Sequence, residues 1–516
     1  MSSKMRLREK LITMLPDRAL NIITKRKSST SMEKRIKRVK RMSPEFLEIM
    51  SEKRLISAFH RAAKEVPHYR KFLQSESVDI ASIKNLNDFI DKVPVIDKKS
   101  YIQTISSLED LCVSGRICDA SLLSRSSGFS GKPCIWPCSQ AEEERGRRST
   151  CIFFEYLLEF SKYKTLVINA FSQGTWVSGT GLSRLMLSGV SFCVTGTNDK
   201  EIIEIVDRCR SGYDQIIIFG YPPFLKLVLE QGKKNRENFW MDDSTRFILM
   251  ASAEGFSEGW REYINNNLNH NRTENHVYST YGASDLGIVG FTETPFTVKI
   301  RQAAYSCPDF AELVFNKKSR NLPMLFSYNP LQYHIRINER YELEFSTLSP
   351  DTLVPLMRYN IHDLGGVVTY EKMRDMLVDA DLKIDMDLPA PLFYVYGRST
   401  GEIPVCGGFV YPDNIRDALF SDPDISSQIT GAFKLNCRDD EKGNLQFYVD
   451  IELLDIGISS DELKDRYEEV LHGNLCKVNM DYAETVESVD PTAKVQVVFK
   501  EQGEIHNNES IKIHYS

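Results

Sequence analysis

The chain has 516 residues, 42% of them hydrophobic and 26% charged, with a net charge of −6. That is enough length for more than one domain with a large buried core, and the composition of an ordinary soluble globular protein, which excludes a short disulfide-stapled scaffold. No apolar run is long enough to span a bilayer, the N-terminus lacks a continuous apolar stretch that would direct export, and the odd count of eleven scattered cysteines reads as reduced thiols, so a cytoplasmic protein is expected.

The charge is uneven. Residues 1–41 carry fourteen lysines and arginines against Glu9, Asp17 and Glu33, a local +11 that leaves −17 on the remainder. The arm reads either as a solvated helical extension lying on the acidic body, which is favoured, or as a contact for a membrane surface or an acidic partner. It has no aromatic residue before Phe46 to interleave with its cations, so no nucleic acid partner is expected.

From Pro44 to Leu73 the apolar residues recur at helical spacing, with Phe46, Ile49, Leu55, Phe59 and Ala62 near one face. Pro67 interrupts that helix, and Pro94 makes a second break. Two short apolar runs, Ala120–Leu123 and Cys134–Pro137, then flank Ser126-Ser127-Gly128-Phe129-Ser130-Gly131-Lys132-Pro133. This reads as a hairpin with a polar, cationic tip. Glycines let backbone N–H groups turn toward a ligand, hydroxyls add donors and Lys132 adds a point charge, which suits a polyphosphate. A Walker A loop is excluded, because Pro133 stands where that motif needs Ser or Thr and the start of a helix. A plain surface turn is the alternative.

Apolar runs at Leu166–Ile168, Val190–Val194, Ile216–Phe219 and Phe247–Met250 read as strands, and Glu201–Cys209 and Phe224–Gln231 as helices. Their alternation predicts layered α/β structure. Beyond residue 310, Ala311–Phe315, Tyr341–Thr347 and Gly366–Tyr370 read as short strands of a β-rich section. From about residue 399, strands at Gly431–Asn436, Leu445–Leu453 and Lys494–Phe499 mix with helices at Asp413–Phe420 and Ser460–Leu471, which predicts a small α+β domain.

Four further segments carry chemistry. Ala251-Ser252-Ala253-Glu254-Gly255 follows an apolar strand, and its small residues leave room for a flat nucleobase or simply make a turn. Tyr278-Ser279-Thr280-Tyr281-Gly282-Ala283-Ser284-Asp285 offers a hydroxyl for a phosphate and a carboxylate for Mg²⁺, or a strand followed by a helix N-cap. In Arg358-Tyr359-Asn360-Ile361-His362-Asp363-Leu364-Gly365, Asp363 can accept both hydroxyls of a ribose or stand in a hairpin turn, and His362 reads as incidental. Gly397-Arg398-Ser399-Thr400-Gly401-Glu402, followed by Cys406-Gly407-Gly408-Phe409, reads as a hinge, and Arg398 as a fork for phosphate or an ordinary surface arginine.

In this order the segments resemble the adenylate-forming acyl-activating enzymes, and within them the branch of phenylacetate–CoA ligase, coenzyme F-390 synthetase and the CapK-type proteins. Ser126–Pro133 is similar to the family's phosphate loop, Tyr281–Asp285 to its Tyr-Gly-x-Ser/Thr-Glu motif, and Arg358–Gly365 to its Arg-Tyr-x-x-x-Asp-Leu-Gly motif. Ala63–Arg70 (AKEVPHYR) and Asn169-Ala170-Phe171 with Gly174 and Trp176 resemble branch signatures. The resemblance covers roughly residues 45–516.

It implies a large domain over 45–398 that binds ATP and the acyl substrate, a small mobile α+β domain over 399–516, and a basic extension over 1–44. It also implies two steps: a carboxylic acid attacks ATP to give acyl-AMP, and a thiol, with CoA the expected acceptor, takes the acyl group. Alternatives are transfer to a carrier protein, an amine or a protein thiol, and a non-catalytic relative acting as a scaffold in polysaccharide or natural-product assembly. By resemblance, Ser126, Ser127, Gly128, Ser130, Gly131 and Lys132 meet the β,γ-phosphates. Ala253, Glu254, Tyr281 and Gly282 hold adenine, Ser284 meets the α-phosphate, Asp285 holds Mg²⁺, and Asp363 with Arg398 binds the ribose region. Lys512 is the C-terminal lysine of adenylation, replaced by the Gly407-Gly408 loop when the small domain rotates. Phe171, Trp176, Phe219, Tyr221 and Tyr278 supply an aromatic acyl pocket or serve as core. Three positions depart from the pattern: Asp285 replaces Glu, Thr400-Gly401 replaces an acidic pair, and Lys512 lacks its usual glycine neighbour.

Overall fold

The computed structural model describes residues 5–13, 32–125, 134–174, 177–185, 190–241, 244–253, 255–268, 274–287, 290–316, 322–398, 403–405, 408–410, 414–415, 418–419, 422–439, 445–479, 482–483, 486–487 and 493–505. The helix Pro44–Glu65 begins where Ser43 Oγ accepts the Phe46 N–H at 3.2 Å, and Pro44 fits the first turn because no N–H is needed there. It stops at Val66, in extended conformation, ahead of Pro67, which opens a second helix, Pro67–Ser75. Leu55, Phe59, Ala62 and Tyr69 from this pair are buried in the main core, while Phe46, Leu47 and Met50 form a separate cluster with Met5, Ile12, Met42 and Leu331.

Strands β1 (Ala120–Arg125) and β2 (Ile135–Ser139) form the expected antiparallel hairpin, with Leu123 opposite Pro137 and Arg125 opposite Ile135. Its tip, Ser126–Pro133, lies outside the described residues. Next come β3 (Thr165–Asn169), β4 (Ser191–Val194), β5 (Gln215–Gly220), β6 (Arg246–Ser252), β7 (Val277–Tyr281) and β8 (Phe291–Thr292). They make one sheet in the order β4-β3-β5-β6-β7-β8, parallel except for β8. The helices Asp199–Cys209, between β4 and β5, and Pro222–Asn235, between β5 and β6, are the crossovers that parallel strands require. Strands β3 and β5 are buried throughout, which is why they read as unbroken apolar runs rather than as alternation.

A second sheet is antiparallel. It contains β9 (Met324–Ser327), β10 (Tyr333–Ile337), β11 (Glu342–Thr347), β12 (Tyr359–Val368) and β13 (Leu392–Arg398), in the order β10-β11-β12-β13-β9. One expected strand is not there. Ala311–Phe315 is the second half of a helix, Pro308–Phe315, whose first turn carries Pro308 and whose end is Asn316 in a left-handed conformation, φ +55°. Phe310, Ala311, Val314 and Phe315 are buried and Leu313 is exposed, the period of a helix and not of a strand. The run Gly366–Tyr370 is also divided: β12 ends at Val368, and Thr369 caps the helix Tyr370–Asp379. Gly365 is required inside β12, since a Cβ there would lie 2.0 Å from the Tyr394 carbonyl oxygen.

Toward the C-terminus lie the short strands β14 (Ile403–Val405) and β15 (Gly408–Val410), then β16 (Ile429–Asp439), β17 (Leu445–Leu453), the helix Asp461–Val478 and β18 (Gln496–Lys500). Strand β17 pairs antiparallel with β16 and parallel with β18. Phe433, Phe447, Ile451, Tyr467 and Leu471 are buried in a hydrophobic cluster of their own. No helix among the described residues is long and apolar enough to cross a membrane.

Candidate active site

The parallel registers bring the carboxyl ends of four strands level. Asn169 of β3 pairs with Phe219 of β5, Gly220 with Ala251 of β6, and Ser252 with Thr280 of β7. Strands β4 and β5 follow β3 in sequence yet flank it on opposite sides, so the chain reverses its direction of winding at β3. Ligands of open α/β sheets bind outside the strand ends at such a point. Phe171, Phe219 and Tyr221 lie at this edge and Tyr278 three residues before the end of β7; all four are buried in the main core. Phe219 packs on Phe154 and Tyr221 on Phe224, each with ring centroids 5.8 Å apart. Burial raises the pKa of the Tyr278 phenol. Trp176 lies outside the described residues.

The ends of β6 and β7 are tied reciprocally: Ser252 Oγ donates to the Thr280 carbonyl at 2.9 Å and Thr280 Oγ1 to the Ala251 carbonyl at 3.2 Å. Ala253 then takes φ +73°, an uncommon conformation for alanine and one that clusters at ligand sites. Glu254 lies outside the described residues.

Tyr281 ends β7, and its hydroxyl donates to Asp363 Oδ2 on β12. The tyrosine ring sits among Phe291, Phe326 and Phe393, with centroids 5.7 to 6.1 Å away, and Asp363 is buried. Asp363 pairs in register with Arg398, the last residue of β13. Gly282 and Ala283 lead from β7 into the 3-10 turn Ser284–Leu286. That turn has no side-chain cap, so the N-cap alternative does not hold. Ser284 Oγ instead donates to the Arg125 carbonyl at 3.2 Å, at the base of the predicted phosphate loop. Lys132 and the rest of Ser126–Pro133 lie outside the described residues, as do Lys512, Cys406-Gly407 and the Arg398 side chain.

Asp285 is buried, and its Oδ2 accepts the Tyr359 hydroxyl at 2.5 Å and lies 3.4 Å from Lys98 Nζ. Tyr359 is fully buried with its ring edge-on to Trp136 of β2, centroids 6.2 Å apart. Sequence reasoning missed both partners. Tyr359 stands inside a motif already singled out, whereas Lys98 belongs to an Asp-Lys-Lys-Ser turn with no local signal. Arg358, in the same motif, is structural. Its guanidinium donates to the Ile90 and Val93 carbonyls at 2.6 Å each and to Glu344 at 3.0 Å, docking residues 90–96 along β12.

Behind β7 lies a closed charge cage. Arg261 Nη2 is 2.7 Å from Glu293 Oε1, Arg261 Nε is 2.9 Å from Glu258 Oε2, and Arg301 Nη1 is 2.6 Å from Glu258 Oε1. Glu293 Oε2 also accepts the Ser279 N–H at 2.7 Å, and Arg261 donates to the Val277 carbonyl at 2.7 Å. Two arginines and two glutamates balance, and they fix the strand that carries Tyr281.

The residues fit a magnesium ion. Tyr359 and Lys98 both engage Oδ2 of Asp285, and among the described residues Oδ1 has no partner. Mg²⁺ is usually held by one or two carboxylates together with substrate phosphates.

An α/β sheet with a polar cluster at its carboxyl edge is joined to a second, antiparallel sheet through Tyr281 and Asp363. The solved structures on which this fold superposes include three of 2-hydroxyisobutyryl-CoA ligase. In complex with 2-HIB-AMP and CoA in the thioesterification state, that enzyme matches with a TM-score of 0.58 and 13% identity over 92% of this chain and 90% of its own. An open conformation with 2-HIB-AMP and CoA matches with a TM-score of 0.50 and 13% identity over 91% of each chain. The postadenylation state with R3-HIB-AMP matches with a TM-score of 0.50 and 12% identity over 90% of this chain and 87% of its own. At such identities the likeness establishes a shared fold. No family model matches the sequence, and neither does any curated protein.

Proposed function

We propose that the chain is an ATP-dependent acyl-activating ligase that forms acyl-AMP from a carboxylic acid and passes the acyl group to a thiol. One observation carries the reading: at the end of one strand Tyr281 meets Asp363, Ser284 meets the base of the Ser126–Pro133 loop and Asp285 meets Tyr359, although these segments are far apart in sequence. CoA as acceptor is supported by the fold shared with a ligase solved with an acyl adenylate and CoA. The phenylacetate–CoA ligase branch rests on the sequence motifs, and an aryl acid on the aromatic residues at the strand ends.

In the first step a carboxylate oxygen of the acid forms a bond to the α-phosphorus of ATP. The bond to the β,γ-diphosphate breaks, and its electron pair leaves with pyrophosphate. In the second step the thiol sulfur adds to the acyl carbonyl, its proton is lost to solvent or base, and AMP departs. Asp363 accepts the ribose hydroxyls, Ala253, Glu254 and Tyr281 frame adenine, and Ser284 meets the α-phosphate. Lys132 and the Ser126–Gly131 donors neutralise the outer phosphates, and Lys512 bridges the α-phosphate and the acid during the first step. Asp285 would hold Mg²⁺, which when bound supplies positive charge to the phosphates. Residues 399–516 form the small domain whose rotation exchanges Lys512 for the Gly407-Gly408 loop, and the buried cluster around Phe433 and Leu471 supports an independent core there. Carboxylate-dependent pyrophosphate release tests the proposal.

A second reading is a non-catalytic nucleotide-binding relative. It is favoured by one contact, the Lys98 ammonium already set against Asp285. It predicts an ATP-induced rise in thermal stability without pyrophosphate release.

A further inference from the structure

His362, the residue before Asp363, takes φ +62°, a conformation uncommon for any residue with a side chain. That backbone turn sets its ring between two carboxylates from different elements. Nε2 lies 3.0 Å from Asp97 Oδ2, and Nδ1 lies 3.3 Å from Glu342 Oε1 of β11. An ionised carboxylate only accepts, so both bonds exist together only when both ring nitrogens carry a proton. The ring is therefore an imidazolium clasped between two anions. The Asp97 bond raises its pKa above the usual histidine range, against burial, and Glu342 adds to the rise. The same bond, with the Ser100 N–H and hydroxyl, holds Asp97 well below the usual carboxylate range.

The two ends of this clasp differ in character. Glu342 is fixed: it is buried, and its Oε2 accepts the Asn338 and Asn360 side-chain amides at 2.8 Å each. Asp97 belongs to the connection that leads to Lys98. That connection is laid along β12 by Arg358 and by backbone bonds at Ile96, whose N–H donates to the Arg358 carbonyl at 3.1 Å and whose carbonyl accepts the Asn360 N–H at 2.8 Å. The next tie along the connection is the His362–Asp97 pair, one residue before Lys98. The titratable groups facing the ring are Asp97 from this connection and Glu342 from β11.

We infer that His362, as an imidazolium, is a positioning residue that pins Asp97 and thereby holds the Lys98 ammonium against Asp285. A proton on a side chain that does not touch the site thus sets the charge arrangement within it. Only the consequence for activity rests on the ligase reading; the pinning itself does not.

The sign follows from the raised pKa. The tie is complete at pH values below the unfolded histidine pKa and is lost as pH rises through the folded one. Hydrogen exchange of the full chain, followed by mass spectrometry from about pH 6 to about pH 9, reads it directly. After correction for the intrinsic pH dependence of amide exchange, protection of peptides spanning residues 94–101 falls about tenfold across the titration in the wild type. His362→Asn and Asp97→Asn show the low protection at every pH. Should His362→Asn fail to fold, Asp97→Asn carries the test alone, since an asparagine oxygen can still accept from Ser100. In pyrophosphate release the KM for ATP changes with pH in the wild type and is flat in both variants, while kcat changes less. Wild-type protection that does not depend on pH, or variants as protected as the wild type, overturns the inference. Absence of pyrophosphate release with every acid overturns the ligase reading and leaves the exchange result to decide the role of His362.

Discussion

The Tyr281 hydroxyl donates a hydrogen bond to the Asp363 carboxylate across 82 positions of sequence, joining the last residue of a parallel strand to an antiparallel sheet. The contact puts the residue proposed for adenine beside the residue proposed for ribose. Asp363→Ala removes a charged acceptor, and hydrogen bonds to charged groups contribute enough that ATP affinity should fall by about 10- to 100-fold. Tyr281→Phe, which leaves the carboxylate in place, should have a smaller effect. Titration calorimetry with ATP measures both, and unchanged affinity in Asp363→Ala removes this residue from the site.

Asp285 depends on Tyr359 for a short buried hydrogen bond. Tyr359→Phe keeps the ring against Trp136 and deletes only the donor, so urea unfolding should show a loss of about 1–3 kcal/mol. Asp285→Asn keeps the size and an acceptor for Tyr359 but drops the charge. It should therefore slow acyl-AMP formation by about a hundredfold while costing less stability. Equal effects on stability and rate in the two variants would show that Asp285 acts only as a packing group.

The strand that carries Tyr281 is backed by the Arg261, Arg301, Glu258 and Glu293 cage, whose members are at most 6% exposed. Arg301→Met leaves two buried glutamates with one cation. Breaking a buried pair from one side costs about 3–5 kcal/mol, and guanidinium unfolding should show that loss. A loss of under about 1 kcal/mol contradicts the assignment of this cage as the support of β7.

His334 on β10 titrates in the opposite sense to His362. Burial, aided by the neighbouring Arg336 charge, lowers its pKa to about 4, and its Nδ1 is buried without a hydrogen-bond partner among the described residues. The folded pKa lies below the unfolded one, so the unfolded chain binds more protons as pH falls. Its contribution is whole above about pH 6.5 and is lost between there and about pH 4, a change of order 3 kcal/mol. The melting temperature of His334→Leu should depend less on pH across that window than that of the wild type. Parallel curves for the two proteins would contradict the assignment.

The sequence was most legible where one local rule decided the outcome. The strands β3, β5 and β6 are buried on both faces, so their apolar runs are unbroken, and the hairpin β1–β2 is marked by its polar tip. Ala311–Phe315 misled because a five-residue apolar stretch fits a strand and a buried helix equally; Pro308 and the left-handed Asn316 decide it, and they stand outside the stretch. The same holds at the site. Tyr281, Asp285 and Asp363 stand in motifs that the residues themselves single out, and the fold brings Tyr281 and Asp363 into contact. Lys98 and His362 act through partners far along the chain, 265 positions apart for His362 and Asp97, and no spacing rule reaches that far.

The most direct measurement is pyrophosphate release from ATP by the full chain across a library of aryl and fatty carboxylic acids, with and without CoA. An acyl-activating ligase releases pyrophosphate with at least one acid, forms an acyl-AMP detectable by mass, and converts it to a thioester when CoA is added. No release with any acid, together with a melting temperature that ATP does not raise, would contradict the ligase reading.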